Sequence, residues 1–577
     1  MKFENMKIMK IKKYFIGVFA LLALASCGDK MDYHEYKVDG ADYIKEMFSR
    51  VGGLTTTIYQ QLDSDFGNYS GAMLSSATDE SAYSHPGNQI EDFYNGAWSP
   101  SNAKSSVWSS CYKGISYCNL LLDEFQGLTF PDYRLDVNYL SEMHQYNNYQ
   151  YEARWARAYF YFLLVRQYGD VPLKVNDMDA AEANVLPRNS AEEVFKFIDD
   201  ECAAIKDSIV EDYNNLGQYA FGTTESGRAN NLAVLALRAR AALYHASPLF
   251  NPNNDRELWH QAALRCKEAI DACRARSMSL NSNYMSLFQS DNYKDTKEII
   301  FARRQNSTTT NNNFEKYNFP IGMENAGGGN CPTQNLVDAF EMTNGMAINE
   351  AGSGYDPQNP YANRDQRLSW IVACNGDQWP NANPNPLEIF TGGANAAPIT
   401  YATTTGYYLK KYCNPATVIG ATGANAFYHN WVIFRLAELY LNYAEAVFNY
   451  TGSGYDTAND LSMSAAEAIN IVRTRAGQPN IATGLSASDF KKKYENERFV
   501  ELAFEGHRFF DVRRWKEAPE YFRTIRKMTI TKSGDALTFT PGTLETRQWD
   551  DKMYLFPIPQ SEIQKSGGVL TQNPGWN

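Results

Sequence analysis

The sequence predicts a mostly α-helical protein in which stacked helical hairpins support a loop-rich, irregular region. Two observations carry this. Alanine recurs with large aromatic or aliphatic residues on one face of several long segments. Two intervening stretches are too rich in glycine, proline and asparagine to sustain long helices. A third observation sets the first 26 residues apart from the fold. Lys7, Lys10, Lys12 and Lys13 precede the apolar run Tyr14 to Ala25, which leads through Ser26 to Cys27. A basic flank, a short apolar stretch and small residues before a cysteine read as a lipoprotein export signal. The run falls short of the about 20 apolar residues needed to span a bilayer. Cys27 is then the acylated first residue of the mature chain, and residues 27–577 are read as one unit.

The elements follow in order. Residues 63–105 form a first loop-rich insertion. In 151–168, Ala153, Ala156, Phe160 and Leu164 recur at steps of three or four, and 190–209 is its hairpin partner. Ser190 with Glu193 is a capping-box start for that partner, and Pro172 and Pro187 punctuate the connection. Leu232, Ala236, Ala239 and Leu243 repeat the pattern in 229–246, which pairs with 255–275 through Ala262, Cys266 and Ala269. Small residues let neighbouring helices approach while large ones fill the gaps, as in tetratricopeptide-like hairpins. The second insertion, 277–430, contains Asn311-Asn312-Asn313, Gly327-Gly328-Gly329 and Pro380, Pro384 and Pro386. Loops laid over a scaffold in this way are where binding residues gather. A third hairpin joins 431–449 with 464–476, and helical pattern continues to about residue 515.

Composition excludes several functions. Removing the signal's net +4 takes the formal charge from −12 to −16, which disfavours nucleic acid as a partner. Eight cysteines remain after Cys27, none spaced as C-x-x-C. Cys111 with Cys118, and Cys266 with Cys273, lie two helical turns apart, about 10.5 Å, too far for a disulfide within one helix. They read as small buried hydrophobes, with no metal and no cofactor implied.

The most enzyme-like feature is the ladder Glu497, Glu501 and Glu505, three carboxylates on one face of an expected helix. Glycosidases need carboxyl groups at about 5 to 9.5 Å, but flanking the sugar from opposite sides, which one helix face cannot provide. Arg498, Arg508, Arg513 and Arg514 are close enough in sequence to pair with these acids, so the segment reads as a structural ion-pair network. No G-x-S-x-G or H-E-x-x-H occurs, and His507 reads as structural. The chain is not expected to be an enzyme.

Specific segments then narrow the reading. WVIFRLAELYLNYAEA at 431–446, ERFVELAFEGHRFFDVRRW at 497–515 and YLFPIPQSEIQKSGGVLTQNPGW at 554–576 together resemble the SusD/RagB family of outer-membrane lipoproteins. ATDESA at 77–82, CPTQNLVDAFEMTNG at 331–345 and NRDQRL at 363–368 extend the resemblance over nearly the whole chain; Gln366 stands where members often have proline. The resemblance implies a SusD-like, mostly α protein at the cell outer membrane, lipid-anchored and surface-exposed. It implies capture of oligosaccharides, or of peptides in the RagB branch. It also implies a partner, a SusC-like TonB-dependent transporter to which the ligand is delivered.

With 14% aromatic residues, many in loops, the chain is well supplied for stacking on sugars. Trp98, between Gly96 and Pro100, is the first candidate, because the family often places a ligand-stacking tryptophan in this early region; a core tryptophan beneath a loop is the competing reading. Asp79 and Asp65 would accept hydroxyls at the same mouth or close Asx turns. The resemblance also nominates Asn330 and Cys331, before Pro332. Tyr355, Trp379 and Tyr428 are the candidates of the second insertion, whereas Arg364, Asp365 and Arg367 read as a structural charge cluster.

Overall fold

The computed structural model describes residues 40–220, 227–289, 297–305 and 311–576; the expected export signal and Cys27 lie outside them. Long helices dominate: α1 (Phe48–Gln60), α2 (Ser106–Glu124), α3 (Tyr139–Tyr168), α4 (Ala191–Ile205), α5 (Asn231–Ala246) and α6 (Arg256–Ala275) precede the second insertion. After it come α7 (Leu436–Thr451), α8 (Ala465–Arg475), α9 (Ala487–Glu501) and α10 (Arg508–Arg514). Helix α3 packs on α2 and α4, α5 on α6, and α7 on both α6 and α8, so the three expected hairpins stack.

Local chemistry explains the starts. Ser190 Oγ accepts from the Glu193 amide at 3.2 Å while the Glu193 carboxylate accepts from the Ser190 amide at 2.8 Å, the capping box expected for α4. Ser464 and Glu467 repeat it at α8. Asn230 and Asp255 cap α5 and α6. Helix α3 begins twelve residues earlier than expected, because its first turns pack aromatic residues instead of alanine: Tyr146 rests edge-on to Phe130 at 5.2 Å. At its centre the buried Trp155 donates its indole N–H to the Ala233 carbonyl at 3.1 Å, tying α3 to α5.

Residues 431–435, expected to open a helix, form a strand instead. Trp431–Arg435 pairs antiparallel with Ile299–Arg303, and α7 begins only at Leu436. A short apolar run of aromatic and β-branched residues fits either period, and the waiting strand decides it. Numbered in chain order, the strands are β1 (Ser81–Tyr83), β2 (Ile299–Arg303), β3 (Asn330–Pro332), β4 (Val372–Ala373), β5 (Tyr408–Leu409), β6 (Trp431–Arg435), β7 (Thr524–Ser533) and β8 (Ala536–Thr546). Among the described residues the four sheets are two-stranded and antiparallel: β1 with β3, β2 with β6, β4 with β5, β7 with β8.

Two of these pairings position the loops. β1 joins β3 in the register Ser81 to Pro332, Ala82 to Cys331 and Tyr83 to Asn330, which fastens the two insertions together. The free edge of β7 carries the loop between residues 391 and 405: Thr391 N–H donates to the Ile530 carbonyl, and Met528 N–H donates to the Thr405 carbonyl, both at 2.8 Å. Buried apolar residues from Phe48 to Trp576 form one continuous cluster beneath both insertions. Among the described residues no helix is long and apolar enough to cross a membrane.

Candidate functional site

The acidic ladder is a buried ion network. Glu497, Glu501 and Glu505 are all nearly inaccessible, so no substrate reaches them. Arg367 bridges Glu497 (2.6 Å) and Glu501 (2.9 Å), Arg473 adds to Glu497 (2.9 Å), and Arg435 joins Glu501 to Glu505 (both 2.7 Å). Arg475 completes the cage around Glu501, and Lys411 reaches Glu505 at 2.7 Å. Burial alone would raise the Glu501 carboxyl; Arg475, Arg435 and Arg367 override it and hold it far below the usual carboxylate range.

The partners differ from those expected. Helix α9 ends at Glu501, and the chain turns through Phe504 (φ 62°) and Gly506 (φ 79°), so Glu505 leaves the helix face. Arg498 and Arg514 instead bind Asp511, Arg514 also binds Glu445, and Arg508 forks onto Asp79. Among the described residues Arg513 meets no carboxylate: it donates to the Met553 and Phe509 carbonyls, and burial pulls its guanidinium down to about 9. Arg367 also holds Asp365, and Arg364 donates to three backbone carbonyls, as a structural cluster would.

Most residues nominated from sequence are enclosed. Trp98 is 3% exposed, its ring packed edge-on to Phe93, Phe556 and Trp576 at 4.7 to 5.1 Å, so neither face is offered to a ligand. Asp79 is spent on Arg508, with oxygens 2.8 and 2.7 Å from the guanidinium. Asp65 caps a turn, accepting from the Leu74 amide at 2.6 Å and the Asn68 amide at 3.4 Å, and burial pushes its carboxyl up to about 6. Asn330 is buried with its amide fully used, on Met73, Ser76, Gly71 and Asn318. Cys331 is buried beside it, its thiol toward the Gly328 and Gly329 carbonyls. Trp379 is 7% exposed against Phe319. Tyr355 and Tyr428 stay half-buried at the surface. The eight cysteines after Cys27 are buried and unbridged.

What the fold does bring to the surface is a set of aromatic rings that sequence reasoning missed. Immediately beyond β1, His85 stacks on Tyr83 with centroids 5.0 Å apart, and on its other side Tyr401 lies parallel at 4.0 Å and 5°. Tyr401 is 46% exposed, and Tyr317 is 42% exposed. Gly71 lies against both the Tyr83 hydroxyl and the Tyr317 ring, so the four side chains form one patch. Burial and the neighbouring Tyr317 push the Tyr83 phenol up to about 12, so it stays a neutral donor.

The platform is built by backbone. Gly328 (φ 79°) and Gly329 (φ 47°) press against the Tyr401 and Tyr317 carbonyls, where any Cβ would collide. The Gly327 carbonyl lies 2.6 Å from His85 Nε2 and fixes the central ring. Tyr401 itself sits at φ 65°, a strained conformation for a large side chain, held by the clasp of its loop on β7. A polar edge completes the patch: Gln89 donates to Ser70 Oγ at 2.9 Å, and Asn88 donates to the Ser70 carbonyl at 3.2 Å. Rigid aromatic faces rimmed by amides and hydroxyls can stack on C–H surfaces and exchange hydrogen bonds with hydroxyls. The available sequence signal was an aromatic pair beside Pro86-Gly87. Tyr401, more than 300 residues away, had none.

Two family models match the chain. One, described as the SusD family, matches residues 297–576; the other, described as starch-binding associating with outer membrane, matches residues 29–243. A SusD-like protein of Formosa agariphila is 23% identical over 442 residues, covering 74% of this chain and 73% of its own. The starch-binding protein SusD of Bacteroides thetaiotaomicron is 25% identical over 535 residues, covering 86% and 84%. The crystal structure of a SusD-like protein from Bacteroides fragilis superposes with a TM-score of 0.75 at 25% identity, covering 94% of this chain and 99% of that one.

Proposed function

The chain belongs to the SusD/RagB family, and from that premise we propose that it is a lipid-anchored, surface-exposed glycan-binding protein that captures oligosaccharides at the outer membrane. The observation that carries this reading is the exposed, backbone-braced platform of Tyr83, His85, Tyr401 and Tyr317. Stacking on a preorganised ring costs little conformational entropy, so most of the contact energy is retained as affinity. The starch-binding relative and the outer-membrane wording of the second family model support both ligand class and location. The role is binding without catalysis, in keeping with carboxylates locked by arginines away from solvent.

Delivery to a SusC-like TonB-dependent transporter is the finer part of the proposal. Its support is the lipoprotein signal that precedes Cys27 and the family resemblance. Calorimetric titration against plant, host and microbial polysaccharides and a set of peptides tests the capture step. A polysaccharide binds, and Tyr401→Ala weakens it at least about tenfold, a loss of about 1.4 kcal/mol. Peptide binding with no polysaccharide binding would remove the glycan from the proposal.

A further inference from the structure

The loop that carries Tyr401 also walls a second concavity. A cavity of about 640 Å³ opens between residues 322–324, 382–388, 394–395 and 418–420, within the range of small-ligand sites. The Tyr408 hydroxyl donates to the Asn395 carbonyl at 2.7 Å and accepts from the Thr403 amide at 3.1 Å, so the loop 395–403 is closed at its base. Asn395, at one foot of this loop, is a wall of the cavity, pinned by its side chain to the Ile321 carbonyl (2.7 Å) and the Glu388 amide (2.9 Å). Tyr401 lies two residues from the other foot. The cavity and the platform are therefore neighbours on one rigid support.

The chemistry of the cavity is distinctive. Its lining combines Met323, Leu387 and two prolines with Asn385, Glu324 and Glu388, and among the described residues it contains no lysine or arginine. Glu324, Asn385 and Glu388 are exposed, and among the described residues only one of the four oxygens of the two carboxylates is engaged, on Glu388, by the Ala394 amide at 3.2 Å. Carboxylates and amides with free lone pairs suit hydroxyl donors. An anionic sugar would instead meet two like charges with no counter-cation, on a chain of net charge −12.

We infer that the cavity and the platform are two subsites of one carbohydrate site, filled together by a single uncharged oligosaccharide. This rests on the glycan-capture reading and narrows its ligand to chains of neutral sugars long enough to reach from Tyr401 into the cavity. The test begins with calorimetric titration of starch, laminarin, galactomannan and arabinan as uncharged polysaccharides, and polygalacturonate, alginate and chondroitin sulfate as acidic ones. Binding is confined to the first group. For the polysaccharide that binds, trisaccharide and decasaccharide fragments are then compared on two cavity variants. Ala382→Trp fills the exposed mouth, and Asn385→Ala removes an amide without adding bulk. Both weaken the decasaccharide, Ala382→Trp by about tenfold or more, and leave the trisaccharide unchanged, whereas Tyr401→Ala weakens both fragments. Binding of an acidic polysaccharide that is lost in Tyr401→Ala would overturn the inference while leaving glycan capture intact. So would a decasaccharide indifferent to both cavity variants. Failure of every polysaccharide would sink the glycan reading itself, and this inference with it.

Discussion

Glu501 shows how much rests on single buried side chains. Three arginines converge on it, from β6, from α8 and from the short helix Arg367–Ile371. Neutralising it strands their charges in an interior that cannot solvate them, so Glu501→Gln is expected to lower stability by about 3 to 5 kcal/mol, read as a shift in the urea midpoint. A change below 1 kcal/mol would mean the cage is not structural. Glu80 behaves oppositely. Burial first, and then Asp79, push its carboxyl from 4.5 up to about 8. The folded state therefore keeps a proton that the unfolded chain releases above its own lower pKa, and this group makes stability fall as pH rises from about 4.5 to about 8. Glu80→Gln removes the titration. Thermal melts across that window should show a shallower decline for the variant, and parallel curves would refute the assignment. That Glu497, Glu501 and Glu505 belong to a network could be read from their spacing and the arginines nearby in sequence. The identity of their partners could not, because Arg367, Arg435 and Lys411 are distant in sequence and reach the ladder only through folding.

Among the elements, the hairpins were the most legible. Their faces are set by a 3.6-residue period, and the Ser190 and Ser464 boxes mark two of the starts. The strand at 431–435 escaped because its identity depends on β2, more than 120 residues earlier. The proposed platform draws on both loop-rich insertions, but on residues that the sequence did not single out. Both insertions contribute to it, yet Trp98, chosen for its loop-like neighbours and the family resemblance, fills a hole in the core, while Tyr401 reaches His85 through a loop clasped to β7. That clasp gives an element-scale prediction. Gly328 needs φ 79° and leaves no room for a Cβ beside the Tyr401 carbonyl, so Gly328→Ala should displace the platform loop. Polysaccharide affinity should drop by about tenfold while the protein still folds, with a modestly lowered melting temperature. Unaltered affinity would show that the loop does not position the site.

At the scale of the molecule, helices, insertions and β-ribbon serve one arrangement: a rigid body presenting aromatic rings on loops held from below by backbone hydrogen bonds. The proposed lipid anchor adds a prediction for the whole molecule. Cys27→Ala should leave the folded protein in the soluble fraction of cells that otherwise retain it in membranes, with polysaccharide affinity unchanged; retention in the membrane fraction would argue against acylation at this residue. The most direct measurement is a crystal structure with the bound oligosaccharide. A sugar ring should lie on the exposed face of Tyr401, with its hydroxyls toward the Ser70, Asn88 and Gln89 edge. A ligand seated elsewhere, with the Tyr83, His85 and Tyr401 stack left bare, would contradict the proposed mode of capture.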